Sequence, residues 1–123
     1  MKIESHRDLI VWQKSVELVT ECYRVTSSFP SDERFGLTSQ LRRSAVSVPA
    51  NIAEGKGRGT TNNFVNFLSI ASGSLTELDT HLVIANKLGY LTKETLNELE
   101  ARMDEVGRML TALRKSLEAR RGQ

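Results

Sequence analysis

The residues best equipped for chemistry crowd into one stretch, Arg42 to Gly59, which reads RRSAVSVPANIAEGKGRG. Two arginines open it, a small-apolar run containing Pro49 follows, and Gly55, Gly57 and Gly59 alternate with Lys56 and Arg58 at its end. A phosphate cradle of the P-loop kind needs a strand, then GxxxxGK followed by Ser or Thr, then a helix. Here the glycines follow a helical pattern and Lys56 precedes glycine, so that chemistry does not fit. The GxGxxG spacing of a dinucleotide fingerprint is missed as well. Ser44 and Ser47 fall mid-helix, where a hydroxyl bonds back to the preceding turn and is a poor nucleophile. The two histidines, His6 and His81, sit in no recognisable catalytic motif, and with one cysteine they fall short of a zinc set. Glu54 has no second carboxylate placed near it in sequence. The expectation is a protein that is not an enzyme and uses neither metal nor cofactor.

Contact with phosphate is the chemistry that remains. Lys56 and Arg58, flanked by glycines, are presented on a backbone free of bulky neighbours. Arg42 and Arg43 complete a first candidate nucleic-acid-binding group, although pairing with Asp32 or Glu33 is an equal alternative. Arg114, Lys115, Arg120 and Arg121 form a second group. They belong to the segment from Arg108 to Arg121, which holds five basic residues against one acid, Glu118. Basic residues at a helix C-terminus also complement its dipole, so a purely structural reading stands beside the functional one.

Four helical segments must position these residues. The first is expected over about 8–27, with Leu9, Trp12, Val16, Val19 and Tyr23 on one stripe at steps of three and four. Ile10, Val11, Leu18, Cys22 and Val25 widen it. The second, about 38–55, begins with Thr38 as cap and carries Leu37, Leu41, Ala45, Val48 and Ile52. The third, about 61–87, opens on a Thr60 or Thr61 cap and repeats Phe64, Leu68, Ala71, Leu75, Leu78, Leu82 and Ala85, ending before Gly89. The fourth, about 92–120, repeats Leu96, Leu99, Met103, Val106, Leu110, Leu113 and Leu117. No stretch alternates with period two. Short connections between long helices imply an all-α, antiparallel up-down-up-down four-helix bundle, a single domain over 1–123. Pro49 forfeits a helical hydrogen bond, and the second helix is expected to kink there; a break at Val48 is the alternative.

The same stretch also says how the helix is covered. Val46, Ala50 and Ala53 make a second stripe, and Gln40, Ser44, Ser47, Asn51 and Glu54 a third, nearly free of long charged side chains. Val65, Ser69, Ser72, Gly73 and Thr76 form a similar face on the third helix. A helix lacking solvated charge is covered on more than one side, so both are expected to pack against another copy of the chain. Gly55, Gly57 and Gly59 are expected to turn the chain into the third helix. Glu54 would fasten that turn by accepting amide hydrogen bonds, with support from Asn51.

The totals set the outer bounds. At 123 residues, 39% apolar and 26% charged, the chain is an ordinary globular domain with formal charge +2. One cysteine, Cys22, excludes an intrachain disulfide and fits a reducing compartment. No apolar run approaches the roughly 20 residues of a membrane span, and the polar N-terminus does not read as a signal peptide, so a cytoplasmic location is expected.

These residues resemble the bacterial four-helix bundle proteins known as 23S ribosomal RNA intervening-sequence proteins. The matching elements are Leu9-Ile10-Val11-Trp12-Gln13, Phe29-Pro30, Phe35-Gly36-Leu37-Thr38-Ser39-Gln40, Arg42-Arg43-Ser44-Ala45-Val46-Ser47 and Asn51-Ile52-Ala53-Glu54-Gly55. Phe67-Leu68, Ala71-Ser72-Gly73-Ser74, Glu77-Leu78 and Leu88-Gly89-Tyr90-Leu91 extend the likeness over almost the whole chain. Ala50 stands where the family often has serine or another small residue, a minor departure. The resemblance implies a left-handed bundle assembled as a homopentamer. It implies association with ribosomal RNA or other structured nucleic acid, or, as in the related accessory proteins of diversity-generating retroelements, a scaffold for a partner reverse transcriptase.

Overall fold

The computed structural model describes residues 2–121, and among these it contains helices and no strand. The α-helices are α1 (Ile10–Thr26), α2 (Leu37–Gly57), α3 (Thr61–Lys87) and α4 (Lys93–Arg121). Each helix packs on two neighbours, α1 on α2 and α4, and α3 on the same two. Residue pairs across the α2–α3 and α3–α4 interfaces run in opposite order. Ser44 meets His81, Ser47 meets Ser74, and Gly55 lies against Phe64 and Phe67. Between α3 and α4, Ser69 meets Arg114 while Leu75 meets Gly107.

The apolar seams read from α2, α3 and α4 line the core. Leu41, Val48, Ile52, Leu68, Leu78 and Leu82 are wholly inaccessible to water. On α1 the buried line runs instead through Val11, Ser15, Leu18 and Cys22, with Trp12 and Val19 packed at its edge and Ile10 and Tyr23 exposed. The difference comes from Ser15, whose hydroxyl donates to the Trp12 carbonyl at 2.9 Å and so can be buried without an unmet polar atom.

Helix boundaries follow from their caps. Before α1 a single 3-10 turn, His6–Asp8, is closed reciprocally: Ser5 Oγ accepts from the Arg7 amide, and Asp8 accepts from the Glu4 and Ser5 amides at 2.8 and 3.1 Å. These amides hold the Asp8 carboxyl below the usual carboxylate range. Thr38 is not the cap of α2. The Leu37 amide is taken by the Glu33 side chain at 3.1 Å, Gly36 holds the cap position, and Thr38 is buried in the first turn. The other Glu33 oxygen accepts from the Tyr90 hydroxyl at 2.9 Å, which joins the α1–α2 connection to the α3–α4 connection. That hydrogen bond, with burial, raises the Tyr90 phenol above its ordinary range. Thr60 caps α3 by accepting from the Asn63 amide, and Thr92 does the same for α4 with Thr95.

The helix α2 continues unbroken through the buried Pro49 and runs past Gly55 to Gly57. Gly55 therefore does not turn the chain. It lies buried in the helix, where a Cβ would stand 2.7 Å from Phe67 Cβ and 3.1 Å from Phe64 Cδ1. The turn belongs to Gly59, whose φ of 82° favours glycine.

Candidate nucleic-acid interface

The eight basic residues singled out by sequence fall into two regions. Because α4 runs back towards the α2–α3 turn, Lys56, Arg58, Arg114, Lys115 and Arg120 occupy the same end of the bundle. Arg121 is the last residue of α4, and its side chain lies outside the described residues. Arg42 and Arg43 are separated from Lys56 along α2 by about 20 Å of helix, at about 1.5 Å per residue.

The environments differ as much as the positions. Arg42 is docked on the end of α1, where its Nε donates to Thr26 Oγ1 at 2.8 Å and its guanidinium lies 4.4 Å from the centre of the Tyr23 ring. A second donor reaches the Tyr23 carbonyl at 3.4 Å, so this charge satisfies the negative end of α1. Neither Arg42 nor Arg43 pairs with Asp32 or Glu33; the Glu33 oxygens are occupied by Leu37 and Tyr90. Arg43 is exposed. Arg58 is committed locally, to Glu54 at 3.1 Å and to the Phe67 ring at 5.2 Å. Glu54 thus accepts from Arg58 and from no turn amide. Asn51 donates to the Ser47 carbonyl and hydroxyl at 2.8 and 2.9 Å rather than supporting the turn. Arg114 donates to Ser69 at 3.2 Å and stands 3.9 Å from Glu118, while Lys56 and Lys115 form no ion pair among the described residues.

The middle of the polar stripe of α2 is engaged within the subunit, while Gln40 and Glu54 at its two ends are exposed. Ser44, 3% exposed, bonds His81, 8% exposed, at 3.2 Å, and Ser47 bonds Ser74 at 2.7 Å. Ser44 and His81 superficially form a nucleophile and base. The Ser44 hydroxyl, however, also lies 2.9 Å from the Leu41 carbonyl, the bond a mid-helix serine makes back to its own turn, and when its proton goes there the ring donates to it through Nδ1. That polarity is the reverse of what activating a nucleophile requires. The faces left outward are Val46 and Ala50 on α2, and Ile70, Gly73, Thr80 and Ile84 on α3.

Sequence reasoning missed an aromatic surface. Phe64 is buried and Trp12 packs at the edge of the core as their stripes imply, yet Phe35 is 87% exposed, with the Arg34 guanidinium 5.2 Å from its ring centre. A signal was available, since an Arg-Phe-Gly run in a polar connection offers no helical stripe into which the ring could fold.

The family model for the 23S rRNA-intervening sequence protein matches residues 7–112. The chain belongs to that family. A crystal structure of a protein of unknown function from the S23 ribosomal protein family of Bacteroides thetaiotaomicron shares the fold, with a TM-score of 0.80 and 24% identity over 86% of this chain and 96% of that one. No curated protein matches the chain. Among the described residues, no group of three or more His, Cys, Asp or Glu side chains could hold a metal ion, and no helix is long and apolar enough to cross a membrane.

Proposed function

We propose that this family member is a non-enzymatic, self-associating bundle that engages structured RNA through its phosphates. The charge polarity of α4 carries the reading. Its first half, from Lys93 to Glu105, holds Glu94, Glu98, Glu100, Asp104 and Glu105 against Lys93 and Arg102, and its second half is almost purely basic. The antiparallel packing delivers that basic half to the end where Lys56 and Arg58 stand. Self-association, as the homopentamer implied by family resemblance, would repeat the basic end around a ring and multiply weak contacts. The exposed aliphatics Val46, Ile70 and Ile84 supply a face for it. A buried Cys22 thiol is in keeping with a reducing, cytoplasmic setting.

The test is a titration of structured ribosomal RNA at two or more salt concentrations. Binding should weaken steeply with salt, because each phosphate contact contributes about 0.9 to the log–log slope on a duplex. Substituting Lys56, Lys115 and Arg120 by alanine should flatten the slope by about 2 to 3. Arg42→Ala should instead lower thermal stability, since that side chain is engaged with α1. An unchanged slope in the triple variant would remove these residues from the interface. The exposed aliphatic face also favours a second reading, a scaffold for a partner enzyme such as a reverse transcriptase. Absence of RNA binding at low salt would put that reading first, and light scattering at the 13.8 kDa of one chain would remove the ring.

A further inference from the structure

Phe35 has the most exposed of the large apolar side chains among the described residues, and it borders a cleft of about 610 Å³ between the end of α1 and the start of α2. The walls that matter are Tyr23, Arg34, Phe35, Ser39, Arg42 and Arg43. No carboxylate lines this cleft, although it holds three guanidinium groups. Arg34 and Arg43 form no ion pair among the described residues, and the neighbouring Glu33 is turned away to Leu37 and Tyr90. Two of the arginines already lie over aromatic rings, Arg42 on Tyr23 and Arg34 on Phe35, so the cleft presents flat π and guanidinium faces beside unneutralised positive charge.

We infer that this cleft binds an unpaired nucleotide of single-stranded RNA, with the base stacked on Phe35 and Arg34 and the adjoining phosphate held by Arg43 and the Ser39 hydroxyl. The chemistry selects this occupant. Aromatic and guanidinium planes stack nucleobases of any sequence, and the positive charge tracks the backbone. A base inside a duplex has both faces covered by its neighbours and cannot present one to Phe35. The cleft volume falls in the range of small-ligand sites. An acidic peptide would satisfy the arginines and leave the exposed ring unused. The inference rests on the RNA-binding reading above and names the state of RNA that this second, separate region takes.

The test compares the full chain and Phe35→Ala in fluorescence anisotropy against a single-stranded RNA carrying 2-aminopurine, the same RNA with abasic positions, and a blunt duplex. Circular dichroism checks the fold, which truncation of so exposed a ring should leave intact. Phe35→Ala should weaken the single-stranded RNA about tenfold, the effect of losing one stacked base, and leave duplex affinity within about twofold. The 2-aminopurine emission quenched by the native protein should recover in the variant, and abasic RNA should bind the native protein as weakly as 2-aminopurine RNA binds the variant. Equal losses for single strand and duplex, or no loss for either, would overturn the stacking site while leaving the phosphate reading in place. Unchanged RNA binding with a smaller particle in light scattering would assign Phe35 to a second copy of the chain and overturn it. Failure of every RNA to bind at low salt would remove both readings together.

Discussion

Replacing Gly55 by alanine tests the tightest contact in the bundle. Two opposing effects act. Alanine favours the helix interior over glycine by about 1 kcal/mol. Against this, the new methyl would lie 2.7 Å from Phe67 Cβ and 3.4 Å from Phe64 Cα, atoms fixed to the α3 backbone that cannot rotate away. Relief requires α2 and α3 to move apart along their broadest interface, and overpacking of this kind costs about 1 to 3 kcal/mol. Because the obstruction is a Cβ, the upper half of that range applies, and the net loss should be about 1 to 2 kcal/mol. At about 4 °C per kcal/mol for a chain of this size, the melting midpoint should fall by roughly 4 to 8 °C. Gly73→Ala is the internal control, since a Cβ there meets nothing within 4 Å of its own chain. It should raise the midpoint of an isolated subunit by a few degrees, whereas a sibling packed on that face would reverse the sign. Thermal unfolding followed at 222 nm measures both midpoints, and guanidinium unfolding at 25 °C the corresponding free energies. A Gly55→Ala protein as stable as the parent would refute the claim that this glycine sets the α2–α3 separation.

Ser44→Ala should cost about 1 to 3 kcal/mol in the same denaturation assay, because it removes the hydroxyl that partners the buried His81 Nδ1. Ser44→Thr, which keeps the hydroxyl, should recover part of that loss. Burial pushes the Cys22 thiol up to about 12, so the native protein should resist a thiol-reactive dye at pH 8 and react fully once unfolded. The raised Tyr90 phenol favours folding while neutral; its contribution is complete below the ordinary phenol range and disappears as pH climbs through the elevated native value. Absorbance at 295 nm should show this late ionisation, and Tyr90→Phe should abolish it.

How legible the fold was depends on which residues carried it. The α3 and α4 seams could be read directly because leucine and its equivalents occupy nearly every inward position. On α1 the pattern misled, since a serine that satisfies itself against Trp12 is invisible to any count of apolar residues. The glycines misled differently: Gly55 and Gly59 look alike in sequence, yet one allows a close approach and the other a positive φ. For the basic residues, type and spacing located the charges, but whether each was free depended on partners distant in sequence. Arg42 is claimed by Tyr23 and Thr26, and Arg114 by Ser69. Phe35 was overlooked because a phenylalanine is ordinarily assigned to the interior, and only the fold shows that no interior is within its reach.

The two-handed carboxylate of Glu33 latches one end of the molecule. Loosening the latch would release the start of α2 and the α3–α4 connection in a single event, so amide exchange at Leu37 and around Tyr90 should rise together when Glu33 is neutralised. At the opposite end, with the Gly59 turn, Arg58 bonds Glu54 and lies over the Phe67 ring. A polyanion bound across the cations proposed to meet RNA should slow amide exchange at that end and leave Leu37 and Tyr90 unchanged.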